Sequence, residues 1–250
     1  MAALASPTGS RQSPGGGADG GWRAYAKLDV PQFAWEFLRR NPVYRREFAG
    51  RDARDPATVD LRWGLRFPVD PEQGAGEADV FWRPEVAPGI VVPLTRHSVD
   101  RGLIVLQLPP GRVRSSEEGL HIRLAAGLQV LLRGLEDSSG PMAVLLAYDA
   151  DFGLRVRAAE ALHRAARGRP PPKSRLTMAQ RLRLARCLEA LDGRLRGDSY
   201  RSIASALFGE HVIAEEAWRT ASLRATTIRL ARAGKALMEG GYLKLLRGGL

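Results

Sequence analysis

The chain has 250 residues, 44% hydrophobic and 26% charged, with one cysteine and a net charge of +11. That is the composition of a globular protein with one large domain or two to three small ones. No run approaches the ~18 consecutive apolar residues of a membrane span, and the lone Cys187 excludes an internal disulfide, as a reducing cytoplasm would require.

The charge is unevenly spread. Residues 1–150 hold 18 Lys+Arg against 18 Asp+Glu, and residues 151–250 hold 20 against 9. Arginine outnumbers lysine 34 to 4, a bias that GC-rich coding can produce without functional cause. Such a bias acts along the whole chain, whereas the surplus is confined to the last 100 residues. A local surplus is the footprint expected for a polyanion partner, because neutralised phosphates release counterions. An acidic membrane or protein surface is the alternative.

In chain order, residues 1–21 are Ser-, Pro- and Gly-rich and lack the continuous apolar core of a signal peptide. They are expected to form a disordered tail. Residues 22–88 form the first ordered segment. In PQFAWEFLRRN, Pro31 suits a first helical position, and Phe33, Ala34, Phe37 and Leu38 share one face. Pro42 breaks that helix near Asn41. A second helix follows with Tyr44 and Phe48 four apart, and then a loop-rich stretch anchored by Trp63 and Trp82.

Residues 89–168 change to short apolar runs, GIVVPL, GLIVLQL, LHIRLAAG, LQVLLRGL and MAVLLAY, separated by turn-forming and charged residues. Their length and content of Val, Ile and Leu predict a small sheet or half-barrel. Periodicity leaves the last two open to a helical reading. In LHIRLAAG, Leu120, Ile122 and Leu124 point one way and His121 and Arg123 the other. A helix is predicted over 153–167, ended by Gly168.

RGRPPPKSR (167–175) is a proline-rich basic connector. Residues 169–250 beyond it read as helical throughout. Thr177 and Gln180 form a capping box for a helix that Gly193 is placed to end. Asp198 or Ser199 caps the next, which carries Tyr200, Ile203, Ala204 and Leu207 and stops at Gly209. A long third helix is expected from about Trp218 to Glu239, closed by Gly240–Gly241. Leu223, Thr227, Leu230, Gly234 and Leu237 cluster on one face of it, with Arg224, Arg229, Arg232 and Lys235 gathered opposite. The fold class is therefore α+β: an aromatic helical N-terminal segment, a β-rich centre and an all-helical C-terminal module.

A short capped helix, a turn and a long helix with cations outside make a helix-turn-helix arrangement. Arginine offers two parallel donors to a guanine edge, so Arg224, Thr226, Arg229 and Arg232 are the candidates for reading bases. Arg219 and Lys235 are better placed to hold phosphate, and Ser199, Tyr200 and Arg201 at a helix start could hold another. A solvated surface helix is the competing reading. Such a helix would alternate charge signs, and this face scarcely does.

At these residues the chain resembles a known family. LEALDGRLRGDSYRSIASALFG and SLRATTIRLARAGKALMEGGYLKLL are similar to the proteobacterial type VI secretion transcription-factor DNA-binding domain family. AWEFLRRNPVYRREF and WGL…DP…FWRPE resemble the transcriptional-regulator-like domain that precedes it, so the resemblance covers roughly 22–85 and 90–250. It implies double-stranded DNA as partner and control, mostly activation, of secretion or mobile-element transfer genes. Homo-oligomerisation and contact with RNA polymerase are expected of the neutral N-terminal and central parts. Related domains also act as antiactivators or scaffolds without binding DNA.

No cofactor, catalytic group or metal site is expected. His97, His121, His163, His211 and Cys187 lack ligand spacing. Asp149–Ala150–Asp151 reads as a loop, and GGGADGG lacks the Gly-Lys-Ser/Thr of a phosphate-binding loop. Trp35 is read as core.

Overall fold

The computed structural model describes residues 21–51, 59–97, 106–124, 127–134, 140–170, 172, 176–215 and 222–249. Helices at the N-terminus lead into a five-stranded sheet and then a helical C-terminal region, so the architecture is α+β.

Helix α1 (Val30–Leu38) begins where Gln32 Oε1 accepts from the Asp29 backbone N–H at 2.9 Å, with Pro31 in the first turn. Phe33, Ala34, Trp35, Phe37 and Leu38 are fully buried. Trp35 is a core residue whose Nε1 donates to the Gln73 carbonyl. Helix α1 is closed by Arg39, and Asn41 caps α2 (Pro42–Ala49) by accepting from the Val43 and Tyr44 N–H groups. The stretch that follows has little regular structure. It is held by side chains: Tyr44 Oη donates to the Val69 carbonyl at 2.6 Å, and Trp63 and Trp82 are buried.

The strands are β1 (Val91–Arg96), β2 (Gly111–Ser116), β3 (Gly119–Leu124), β4 (Gln129–Arg133) and β5 (Met142–Val144), in spatial order β2-β3-β4-β1-β5. The β1–β4 pair is parallel and the others are antiparallel. LQVLLRGL and the start of MAVLLAY are thus strand. Strand β2 (GRVRSS) comes from a polar stretch that no apolar run marked. GLIVLQL contributes no named element; its residues 102–105 lie outside the described ones.

Both faces of the sheet are covered. On one, Val92, Leu94, Ile122, Leu124, Val130 and Leu132 pack with Ala158 and Leu162 of α3 (Phe152–Ala166). On the other, Val91 and Leu131 join the N-terminal core, and His121 lies edge-on to Phe67 and Phe81. His121 does point away from Ile122, as alternation requires, but into protein rather than water. It is 3% exposed. Burial, then Arg66, Arg83 and Arg114, pushes its pKa down to about 4, so the ring is neutral near pH 7.

The C-terminal helices are α4 (Met178–Arg196), α5 (Tyr200–Phe208), α6 (Glu210–Glu215), α7 (Ser222–Ala236) and α8 (Tyr242–Leu246). The Thr177–Gln180 capping box forms. Gly193, however, does not end α4. The helix continues to Arg196, and Gly197 in left-handed geometry (φ 89°) closes it. Gly193 is buried because Ile203 of α5 packs onto it; a Cβ there would lie 2.6 Å from the Ile203 side chain. Glycine here serves helix–helix approach rather than termination. Helix α6 was not foreseen, nor was α8. Gly240 (φ 119°) breaks the chain between α7 and α8 as the glycine pair predicts.

The N-terminal segment and these helices share one core, running from Trp22, Phe33, Trp35 and Trp82 to Leu184, Leu188, Tyr242 and Leu246. Polar links cross the same seam, among them the Arg181 guanidinium of α4 on the Leu28 carbonyl (2.7 Å) and Asp29 (2.9 Å). Arg40 forks onto Asp192 (2.5 and 2.8 Å), the Asn41 amide donates to Met238 O (3.0 Å), and Tyr242 Oη donates to Trp63 O (3.1 Å). No helix among the described residues is long and apolar enough to cross a membrane.

Candidate nucleic-acid interface

Helix α7 is seated by its small residues. Thr227, Leu230, Ala231 and Gly234 are buried, and Leu223 and Leu237 are half-buried at the edges of that face. A Cβ on Gly234 would stand 2.5 Å from the Cys187 carbonyl oxygen, so only glycine permits this approach to α4. Thr227 donates to the Leu223 carbonyl at 2.8 Å and so buries its hydroxyl satisfied. Burial, partly offset by Arg183, pushes the Cys187 thiol up to about 11, which makes it a packing residue rather than a nucleophile.

Arg224, Arg229, Arg232 and Lys235 are all exposed. They are not one narrow stripe. At 100° per residue they span roughly 140° of the helix, Arg224 and Lys235 on a flank and Arg232 and Arg229 outermost. Thr226 lies on the other flank, half-buried, accepting from Arg229 Nη2 at 3.1 Å. Among the described residues no carboxylate is within ion-pair distance of Arg224, Arg229 or Arg232. Lys235 meets Glu239 at 3.7 Å. Arg219 lies outside the described residues.

Ser199 caps α5 by accepting from the Ser202 N–H at 3.2 Å. Arg201 is exposed one position into the helix, while Tyr200 is half-buried with the Arg194 guanidinium 4.9 Å from its ring. Helices α5 and α7 pack on each other and both pack on α4. The connection between them is more than a turn: α6 follows Gly209 directly, and 216–221 fall outside the described residues.

The family-like segments turn out to carry packing. In LDGR, Asp192 anchors Arg40, Gly193 admits Ile203 and Arg194 covers Tyr200; in LMEGGY, Gly240 makes the break and Tyr242 reaches Trp63. Residues 145–247 match the family described as the type VI secretion system (T6SS) transcription factor DNA-binding domain, and 20–68 match the proteobacterial transcriptional regulator-like domain. Together they mark a DNA-binding transcription regulator. The two occur in the order the resemblance gave, over a shorter span: all five strands lie outside both matches. No curated protein matches the chain.

Asp149 and Asp151 are both engaged by arginines. Asp149 accepts from Arg155 (2.8 and 3.2 Å) and from the Asp151 N–H, and Asp151 faces Arg247 at 3.8 Å. They organise the start of α3. Among the described residues no group of three or more His, Cys, Asp or Glu could hold a metal.

Proposed function

We propose that the chain is a sequence-specific regulator that lays α7 in the major groove of double-stranded DNA, as the long recognition helix of a helix-turn-helix-like unit in which α6 intervenes between the short α5 and α7. One observation carries this reading. A helix buried against α4 presents Arg229 and Arg232 outermost with no acidic partner among the described residues. Those two are the first candidates for base edges, with Arg224 and Thr226 on the flanks. Lys235, Arg219 and the α5 start at Ser199, Tyr200 and Arg201 are assigned to phosphates. Activation of secretion or transfer genes follows from the family likeness, with RNA polymerase contact and self-association assigned to the neutral remainder.

The test uses the whole chain, because α4 and α8 bury their inner faces on the N-terminal segment. Binding to duplex DNA is measured by fluorescence anisotropy over a salt series. Affinity should fall steeply, with a log–log slope of about −0.9 per phosphate neutralised. Absence of binding in ~50 mM salt, where phosphate contacts are strongest, would leave an antiactivator or scaffold.

A further inference from the structure

We propose that the cavity between α1, residues 75–82 and the sheet binds a small flat carboxylate, of the size of a single-ring aromatic acid. The cavity measures about 200 Å³, and its walls include Pro31, Trp35, Val80, Trp82, Arg123 and Gln129. Arg123 of β3 and Gln129 of β4 are cross-strand partners, so they stand side by side on the sheet face turned toward the N-terminal core. Gln129 is fully engaged: its Oε1 accepts from the Trp82 N–H at 2.9 Å and its Nε2 donates to the Val80 carbonyl at 3.0 Å. Trp35 Nε1 is engaged as well, on the Gln73 carbonyl. Two wall donors are not. Trp82 is 1% exposed, and its indole Nε1 and the Arg123 Nε are buried without an acceptor among the described residues. A buried N–H without an acceptor is costly, and folded proteins rarely carry one without cause. Two on the wall of one cavity ask for an acceptor inside it.

Charge and shape select that acceptor. Asp79 holds both Arg123 (2.8 Å) and Arg112 (2.9 Å), one carboxylate against two guanidinium groups. Asp29, also on the wall, is matched by Arg181. One positive charge is left over, which favours an anion above a neutral molecule. A carboxylate brings two acceptor oxygens in one plane, enough for both donors. The two indoles, Pro31 and Val80 add flat apolar walls that suit a ring. A cavity of ~150 Å³ takes a benzene molecule, so this one has room for a ring with its carboxylate and little more. Water would answer the donors without using the apolar walls, and it is the rival occupant.

Benzoate is the probe, titrated into the isotope-labelled full chain without DNA and followed by NMR, so the outcome is independent of the DNA-binding reading. The chain has five tryptophans, each with one indole N–H signal. One signal should move and saturate, and it should be the one missing from Trp82→Phe. Benzamide, which has the same shape and no charge, should bind at least ~10-fold more weakly. Arg123→Gln should weaken benzoate by a similar factor, and it carries the test should Trp82→Phe fail to fold. No movement of an indole signal up to ~10 mM benzoate leaves water as the occupant and overturns the proposal. Equal binding of benzamide overturns it too. So does benzoate binding that survives Arg123→Gln unchanged, as loose attraction to a chain of net charge +11 would.

Discussion

Arg40 and Arg229 are the same residue type put to opposite uses. Arg40, its side chain 8% exposed, forks onto Asp192 and reaches Glu36 at 2.5 Å, tying α1 to α4. Asp192 and Glu36 hold its charge firmly, raising its pKa despite burial. Burial alone would raise the Glu36 pKa, but Arg40 and Arg39 outweigh it and hold the carboxyl below its usual range. Arg229 is exposed, with one hydroxyl as its nearest partner. The first half of the chain matches its cations with carboxylates, as Arg45–Glu72, Arg62–Glu47 and Arg123–Asp79 also show. The outer face of α7 does not. An arginine inside must be paired, because stranding an ion out of water costs several kcal/mol. One left unpaired on a surface keeps its charge available to a partner.

The largest effect should come from breaking the inner set. Arg40→Ala strips Asp192 of its fork and leaves the buried Glu36 with Arg39 as its one remaining guanidinium partner among the described residues, and should cost about 3–5 kcal/mol, read by chemical denaturation. Little change would mean the seam is held by apolar packing alone. Next is His121, neutral among three guanidinium groups. Its folded pKa near 4 lies below the ordinary 6.5, so the unfolded chain binds the extra proton between those values. Its contribution is full above pH 6.5 and is lost as pH falls toward 4, by roughly 3 kcal/mol in all. Denaturation midpoints should drop over that window, and His121→Gln should flatten the drop. A variant with the same slope would assign it elsewhere.

The outer set should behave in the opposite way. Arg229→Ala should cost about 1–3 kcal/mol in binding at a cognate site and relax preference at one base, with the melting temperature unchanged. Equal weakening on every sequence would make Arg229 a phosphate contact. The smallest effect belongs to Lys235→Ala. Its exposed pair with Glu239 contributes no more than ~0.5 kcal/mol to stability, yet its loss should reduce the salt slope by about one. An unchanged slope would remove Lys235 from the interface.

Much of this was legible because it is local. The caps at Thr177 and Ser199, the break at Asn41, the stop at Gly209 and the inner face of α7 depend on residues within a turn or two of each other. Composition likewise placed the cationic surplus in the last 100 residues. What went unread was non-local. Gly193 looked like a helix stop because glycine does end helices, and only the arrival of Ile203 shows it to be a contact point. Strand β2 has no apolar run of its own and is strand because β3 pairs with it over its whole length. The proline-rich connector suggested a separable C-terminal module, yet Trp22 and Leu246 lie in one core.

By itself the sequence determined six of the helices (α1 to α5 and α7), most of their caps and the region where positive charge accumulates, since backbone capping and 3.6-residue periodicity act over short range. The tertiary structure alone decided which arginines are consumed by carboxylates and which stay open. Ion pairing depends on side chains such as Arg40 and Asp192, 152 positions apart, which meet only once the core has closed around them.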